Sequence, residues 1–185
     1  MENIKNDEEK ACVDYELLLE ELMDEYGTQV KKLAYTYVRH WSIAEDVAQE
    51  VFLSVYKNLH RFRGEASYKT WIYKITINKS KDALKSRFFR PEKLLQKLKT
   101  FSGQEAPSAE DHVIIKNEDG MLSECVMALP VKYREVIILY YYENLKLEEI
   151  QDYTKLKLST IKTRLRRAKG LLRSIYEEKG GVDNG

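Results

Sequence analysis

Apolar residues recur every three or four positions from one end of a long segment to the other, at Tyr15, Leu18, Leu19, Leu22, Tyr26, Val30, Leu33, Tyr37 and Trp41. That period turns one face of a helix toward a core, so it predicts one or two helices here. It returns at Ile43, Val47, Val51, Val55 and Leu59, where Ser42 and Glu45 have the spacing of a capping box. A third helix is expected with Tyr68, Trp71, Ile72, Ile75, Lys79 and Ala83 inward, the Lys79 stem lying along that face, and Pro91 as its bound. Ile114, Met121, Leu122, Cys125 and Leu129 predict another helix. Pro130 then suits the first position of the next, which carries Tyr133, Val136, Ile137, Tyr140 and Tyr141 inward and ends near Asn144. Two more follow, at about Leu147 to Tyr153 and Ser159 to Tyr176. No strand-like alternation of useful length occurs, and the fold class expected is all-α.

The periodic segments fall into two groups. Between them, Gly103 and Pro107 interrupt the stretch from Pro91 to Ala109, although Leu94, Leu95, Leu98 and Phe101 could form a short amphipathic turn. The expected organisation is a domain over 1–90, a linker over 91–109 and a second domain over 110–178.

A net charge of +1 conceals strong segregation. Residues 57–99 hold 13 Lys and Arg against 3 acids, and residues 153–173 hold 8 against none, with an acidic block between them. Two cationic blocks suggest two contacts with one polyanion, because neutralising phosphates releases counterions.

No apolar run approaches the roughly 20 residues of a membrane span. The start, MENIKNDEEK, lacks the basic and then apolar layout of an export signal, which points to the cytoplasm and to no direct membrane contact. Cys12 and Cys125 each sit in a helical pattern and read as buried free thiols; His40, His60 and His112 are too scattered for a metal motif. The adjacent Glu148 and Glu149 point about 100° apart on a helix and read as capping groups instead of a catalytic pair. No catalytic residue, metal or cofactor is expected.

The segment from Leu147 to Leu172 reads as a short helix, a turn, and a second helix with apolar Leu158, Ile161, Leu165, Ala168, Leu172 and Ile175. Its opposite stripe is Lys162, Thr163, Arg166, Lys169 and Arg173. This is the layout of a helix-turn-helix, whose second helix enters the major groove and pairs Arg or Lys with guanine acceptors.

In the first half, Lys74, Asn78, Lys81 and Lys85 fall at spacings of four, three and four and line one face. Asn78 both donates and accepts hydrogen bonds, so it can discriminate a base edge among lysines that mostly grip phosphate. The loop Arg61-Phe62-Arg63-Gly64-Glu65-Ala66-Ser67 offers cations and an aromatic ring to an unstacked base. Phe62 and Trp71 fit either that use or the core. Asp46, Gln49, Glu50 and Leu53 form a mixed acidic and apolar strip on the preceding helix.

YREVIILYYYENLKLEEI together with TIKTRLRRAKGLLR resembles the fourth domain of a bacterial RNA polymerase sigma factor. IAEDVAQEVFLSVYKNL resembles the helix by which such factors dock on the polymerase, and FRGEASYKTWIYKITINKSKDAL resembles the segment that opens and reads the minus-10 promoter element. Two domains without further regions are the layout of the extracytoplasmic-function (ECF) group. The resemblance implies a non-enzymatic factor that binds core RNA polymerase through Asp46, Gln49, Glu50 and Leu53. It implies minus-10 contacts from Arg61, Phe62, Arg63, Lys74, Asn78, Lys81 and Lys85, and minus-35 contacts from Lys162, Thr163, Arg166 and Arg167. It also implies an anti-sigma factor as partner, which in this group is often membrane-bound.

The alternatives are a stand-alone helix-turn-helix regulator, a helical adaptor that binds only proteins, and a nuclease. Where the family usually has glycine in the turn of the helix-turn-helix, this chain has Lys155, and Lys157 replaces a common capping serine. A left-handed lysine costs roughly 1 kcal/mol or more, so a rebuilt turn and a reading helix starting at Ser159 are expected.

Overall fold

The computed structural model describes residues 2–88 and 120–180, with side chains over 15–86 and 120–180. The linker, Ile114 and the Cys12 side chain lie outside the described residues. The chain forms two units, and the described parts of both are helical.

In the first unit, α1 (Glu2–Val38) packs along α2 (Trp41–Asn58), and one continuous helix takes the place of the one or two expected. The inner face of α1 becomes fully buried only from Leu22, through Val30, Leu33, Ala34 and Tyr37; Tyr15 is exposed, and Leu18 and Leu19 are half-buried. Trp41 belongs to α2. Arg39, left-handed at φ 51°, makes the connection by donating its N–H to the Tyr35 carbonyl at 2.8 Å.

The expected Ser42 cap is not used. So short a connector brings the chain back into helix by Trp41, with His40 extended before it, and Ser42 is already inside the first turn. A hydroxyl can cap only from a residue whose own backbone is not yet helical. Ser67 meets that condition before α3 (Tyr68–Phe88): its Oγ accepts the Thr70 N–H at 3.2 Å and lies 3.0 Å from the Thr70 hydroxyl.

The buried face of α3 is Ile72, Tyr73, Thr76, Ile77 and Ser80, turned from the one expected. Thr76 can enter the core because its hydroxyl donates to the Ile72 carbonyl at 2.9 Å, leaving a methyl group to pack. Thr36 does the same with Leu33 at 2.6 Å, and Thr154 with Ile150 at 2.7 Å. Trp71 and Ile75 are consequently half-buried, and Lys79 reaches sideways to Glu50 instead of lying along the core.

In the second unit, α4 (Gly120–Ala128) leads through Pro130, one place ahead of its expected position, into α5 (Val131–Ile137). A π-type turn over Ile138–Tyr142 then widens the helix; the Glu143 N–H reaches back five residues to the Ile138 carbonyl at 3.0 Å. The extra residue brings Ile138 and Leu139 inward and leaves Tyr140 and Tyr141 exposed, contrary to the regular helical period. Asn144, left-handed at φ 52°, follows. Cys125 is buried and not in a disulfide, as the pattern implied.

Next come α6 (Leu147–Thr154) and α7 (Leu158–Glu178), and α7 packs against α4, α5 and α6. Glu149 has the capping role expected of it: its carboxylate accepts the Lys146 N–H at 2.7 Å. The turn is not rebuilt. Lys155 takes the left-handed conformation itself, at φ 59° and ψ 20°, and donates its N–H to the Gln151 carbonyl at 2.8 Å. Lys157 is the last extended residue, so α7 starts at Leu158 and not at Ser159.

Because a left-handed side chain is strained and glycine is not, Lys155→Gly is expected to stabilise the second unit by about 1 kcal/mol. Its melting temperature, followed by circular dichroism, should rise by about 4–8 °C.

Candidate nucleic-acid interface

The helix-turn-helix presents its surface through simple geometry. Ile161, Leu165 and Ala168 of α7 are buried, and Lys162, Thr163, Arg166 and Arg167, which point away from them at 100° per residue, are exposed. All four expected reading residues thus share the outer side of one helix, with Lys169 and Arg173 continuing the cationic surface. Arg173 is bound to Glu177 at 2.9 Å, which draws its charge toward the far end. Arg164, which is not part of the stripe, turns inward to Glu135 of α5 at 3.5 Å, and the Glu135 side chain is 4% exposed.

The first unit has an open cleft of about 420 Å³ where the end of α2 meets the loop and α3; Asn58, Arg61, Phe62, Arg63, Trp71 and Lys74 are among its walls. Phe62 stacks on Tyr68 with centroids 4.4 Å apart and lies 5.0 Å from the Trp71 ring. Both Phe62 and Trp71 are half-buried, so each supports the fold and also lines the cleft. Tyr68, a ring expected in the core, completes this stack. Asn78 and Lys85 are exposed and Lys81 is half-buried. Lys85 is bound to Asp82 at 3.2 Å.

On α2, Val47, Val51 and Val55 are buried and Asp46, Gln49, Glu50 and Leu53 are exposed. The strip is therefore real as a surface, but it is not isolated from α3. Glu50 accepts a hydrogen bond from Lys79 at 2.8 Å, and that ammonium holds its carboxyl below the usual carboxylate range. The attraction is present above the ordinary glutamate pKa and is lost as pH falls through the lowered one.

Residues 22–88 match the sigma-70 region 2 family and residues 119–172 match sigma-70 region 4. The chain is 30% identical to the ECF RNA polymerase sigma factor SigW of Bacillus subtilis over 162 residues, 83% of this chain and 86% of that protein. The chain belongs to the ECF-type RNA polymerase sigma factors. The sigma factor SigV of Bacillus subtilis is 33% identical over 143 residues, 77% of this chain and 81% of its own. Among solved structures, the sigma factor RpoE of Bartonella quintana, bound to the anti-sigma factor NepR, shares the fold at a TM-score of 0.64 and 16% identity. That likeness covers 89% of this sigma factor and 98% of the other.

The first unit is thus region 2, and the second is region 4 with its helix-turn-helix. Proteins of this family bind core RNA polymerase and promoter DNA and direct transcription initiation without being enzymes themselves. No helix among the described residues is long and apolar enough to cross a membrane.

Proposed function

We propose a division of labour within this sigma factor. Region 2 docks on core polymerase through Asp46, Gln49, Glu50 and Leu53 and takes the minus-10 element with Arg61, Phe62, Arg63, Lys74, Asn78, Lys81 and Lys85. Region 4 reads the minus-35 element with Lys162, Thr163, Arg166 and Arg167. The functional domains on this reading are 1–90 and 110–178. The observation that carries it is the separation of faces on α7, where one buried apolar stripe holds the helix down and leaves four polar or cationic side chains on its outer side.

In region 2, the cationic cleft beside the Phe62–Tyr68–Trp71 stack supports capture of an unpaired base. Aromatic contacts worth about 1–3 kcal/mol per base compare with about 1.4 kcal/mol for each stacked step lost, so a short bubble can be held without ATP. The sigma factor acts in the cytoplasm on this reading, with an anti-sigma factor, membrane-bound in many systems, as its regulatory partner.

Run-off transcription with core polymerase on a genomic promoter library tests the proposal. Arg166→Ala should cost about 1–3 kcal/mol and relax selection at one minus-35 position. Loss of a purely phosphate-gripping lysine should instead weaken all promoters alike and lower the salt slope by about 0.9. Specific duplex binding that is as tight without core polymerase as with it would favour a stand-alone regulator.

A further inference from the structure

Four consecutive residues of α5, from Arg134 to Ile137, are buried, and two of the four are charged. Nη1 of Arg134 donates to the Met127 carbonyl at the end of α4. Glu135 faces Arg164 of α7, whose side chain is 25% exposed, at 3.5 Å. Removing two ions from water is expensive, and apolar residues of similar size often stabilise a fold as well or better. Stability alone therefore does not account for a glutamate here. What an ion pair has and an apolar contact lacks is direction.

The apolar attachment of α7 is short on direction. Ile161 and Leu165 pack on a stripe whose next member, Ala168, is only a methyl group. Such a helix can roll on its neighbours at small cost, because apolar burial depends on area and not on angle. A roll of about 30° moves its outer surface, at about 6 Å from the axis, by about 3 Å, the difference between a base contact and none. Arg164 lies on the flank of α7, between the buried stripe and the outward Thr163 and Arg167, where a tether to Glu135 resists that roll. A second pair, Lys179 to Glu124 at 2.6 Å, fastens the far end of α7 to α4. It acts 15 residues beyond Arg164, away from the reading residues.

We propose that Glu135 and Arg164 are positioning residues that fix the rotation of α7, and so determine which side chains region 4 presents to the minus-35 bases. This rests on the reading of α7 given above. Arg164 itself makes no base contact on this view; it aims its neighbours.

The test uses the full chain reconstituted with core polymerase, transcribing a promoter library randomised at minus-35 upstream of a fixed sequence that the wild type uses. Glu135→Gln and Arg164→Lys should each flatten the minus-35 preference about tenfold, the value of one good base contact, while core binding stays within about twofold. The exchanged pair, Glu135→Arg with Arg164→Glu, should recover part of that preference. Melting of each variant accompanies the assay. Folded variants that keep the wild-type preference would overturn the proposal, as would loss of the fold in all three, which would make the pair a stability element. If the wild type itself shows no minus-35 preference, the underlying assignment of α7 fails instead.

Discussion

Asp46→Lys is expected to weaken binding of this sigma factor to core polymerase about a hundredfold and to leave its melting temperature unchanged. The two halves of the expectation have separate origins. Asp46 is exposed on α2, whose hold on the fold comes from Val47, Val51 and Val55 on the other side, so the substitution should alter stability by no more than about 0.5 kcal/mol. An acidic strip calls for a basic surface opposite it, where a like-charge contact costs several kcal/mol, and about 3 kcal/mol corresponds to the stated loss. Glu50 is a poorer probe, because Glu50→Lys would also set a second cation against Lys79 of α3. Titration of labelled protein with core polymerase gives the affinity. An affinity within a factor of two of wild type would remove the strip from the docking surface and leave the helix-turn-helix as a regulator in search of another partner.

The strip was legible because exposed helix faces follow from period alone. Elsewhere, the limits of period are physical ones. Thr76 and Ser80 look polar in a sequence and Trp71 and Ile75 look apolar, yet the first two are buried and the others line a cleft. The Thr76 hydroxyl is satisfied within its own helix and leaves a methyl group to pack, whereas Ser80 is buried as a small side chain whose hydroxyl finds no partner among the described residues, and α3 is turned accordingly. The π-type turn had the same effect on Tyr140 and Tyr141, since one inserted residue shifts the phase of everything beyond it. Lys155 shows the reverse error. Glycine preference at left-handed positions is a matter of about 1 kcal/mol, small enough for the α6–α7 packing to override. The outer face of α7 was read without loss, because buried Ile161, Leu165 and Ala168 are enough to tell the inward side from the outward one, though not to set the rotation finely. The inward turn of Arg164 was not, because period assigns a residue to a face but does not pair it with one on another helix.

Ile161→Ala should therefore be the most damaging single change in region 4, and its consequences should stop there. Ile161 is fully buried at the start of α7, and truncating such a residue costs about 2–5 kcal/mol, the lost transfer energy plus a cavity. A unit of this size holds only about 0.05–0.15 kcal/mol per residue, so that loss takes up most of its stability and lowers its melting temperature by about 10–30 °C. The chain offers a way to see which unit melts. Its two tryptophans, Trp41 and Trp71, both lie in region 2, so tryptophan fluorescence follows that unit while circular dichroism follows helix in both. In the Ile161→Ala protein part of the helical signal should disappear early while the fluorescence transition stays in place; Ile72→Ala, equally buried but in α3 of region 2, should do the opposite. Function should divide along the same line. On the proposed division of labour, Ile161→Ala should keep its affinity for core polymerase and lose selection at minus-35, because the α2 strip is untouched while α7 no longer has a surface on which to aim its arginines. A fluorescence transition that falls together with the helical one would mean that the two regions melt as one cooperative body, and the division of labour would then have to be sought in smaller changes on the surface of α7.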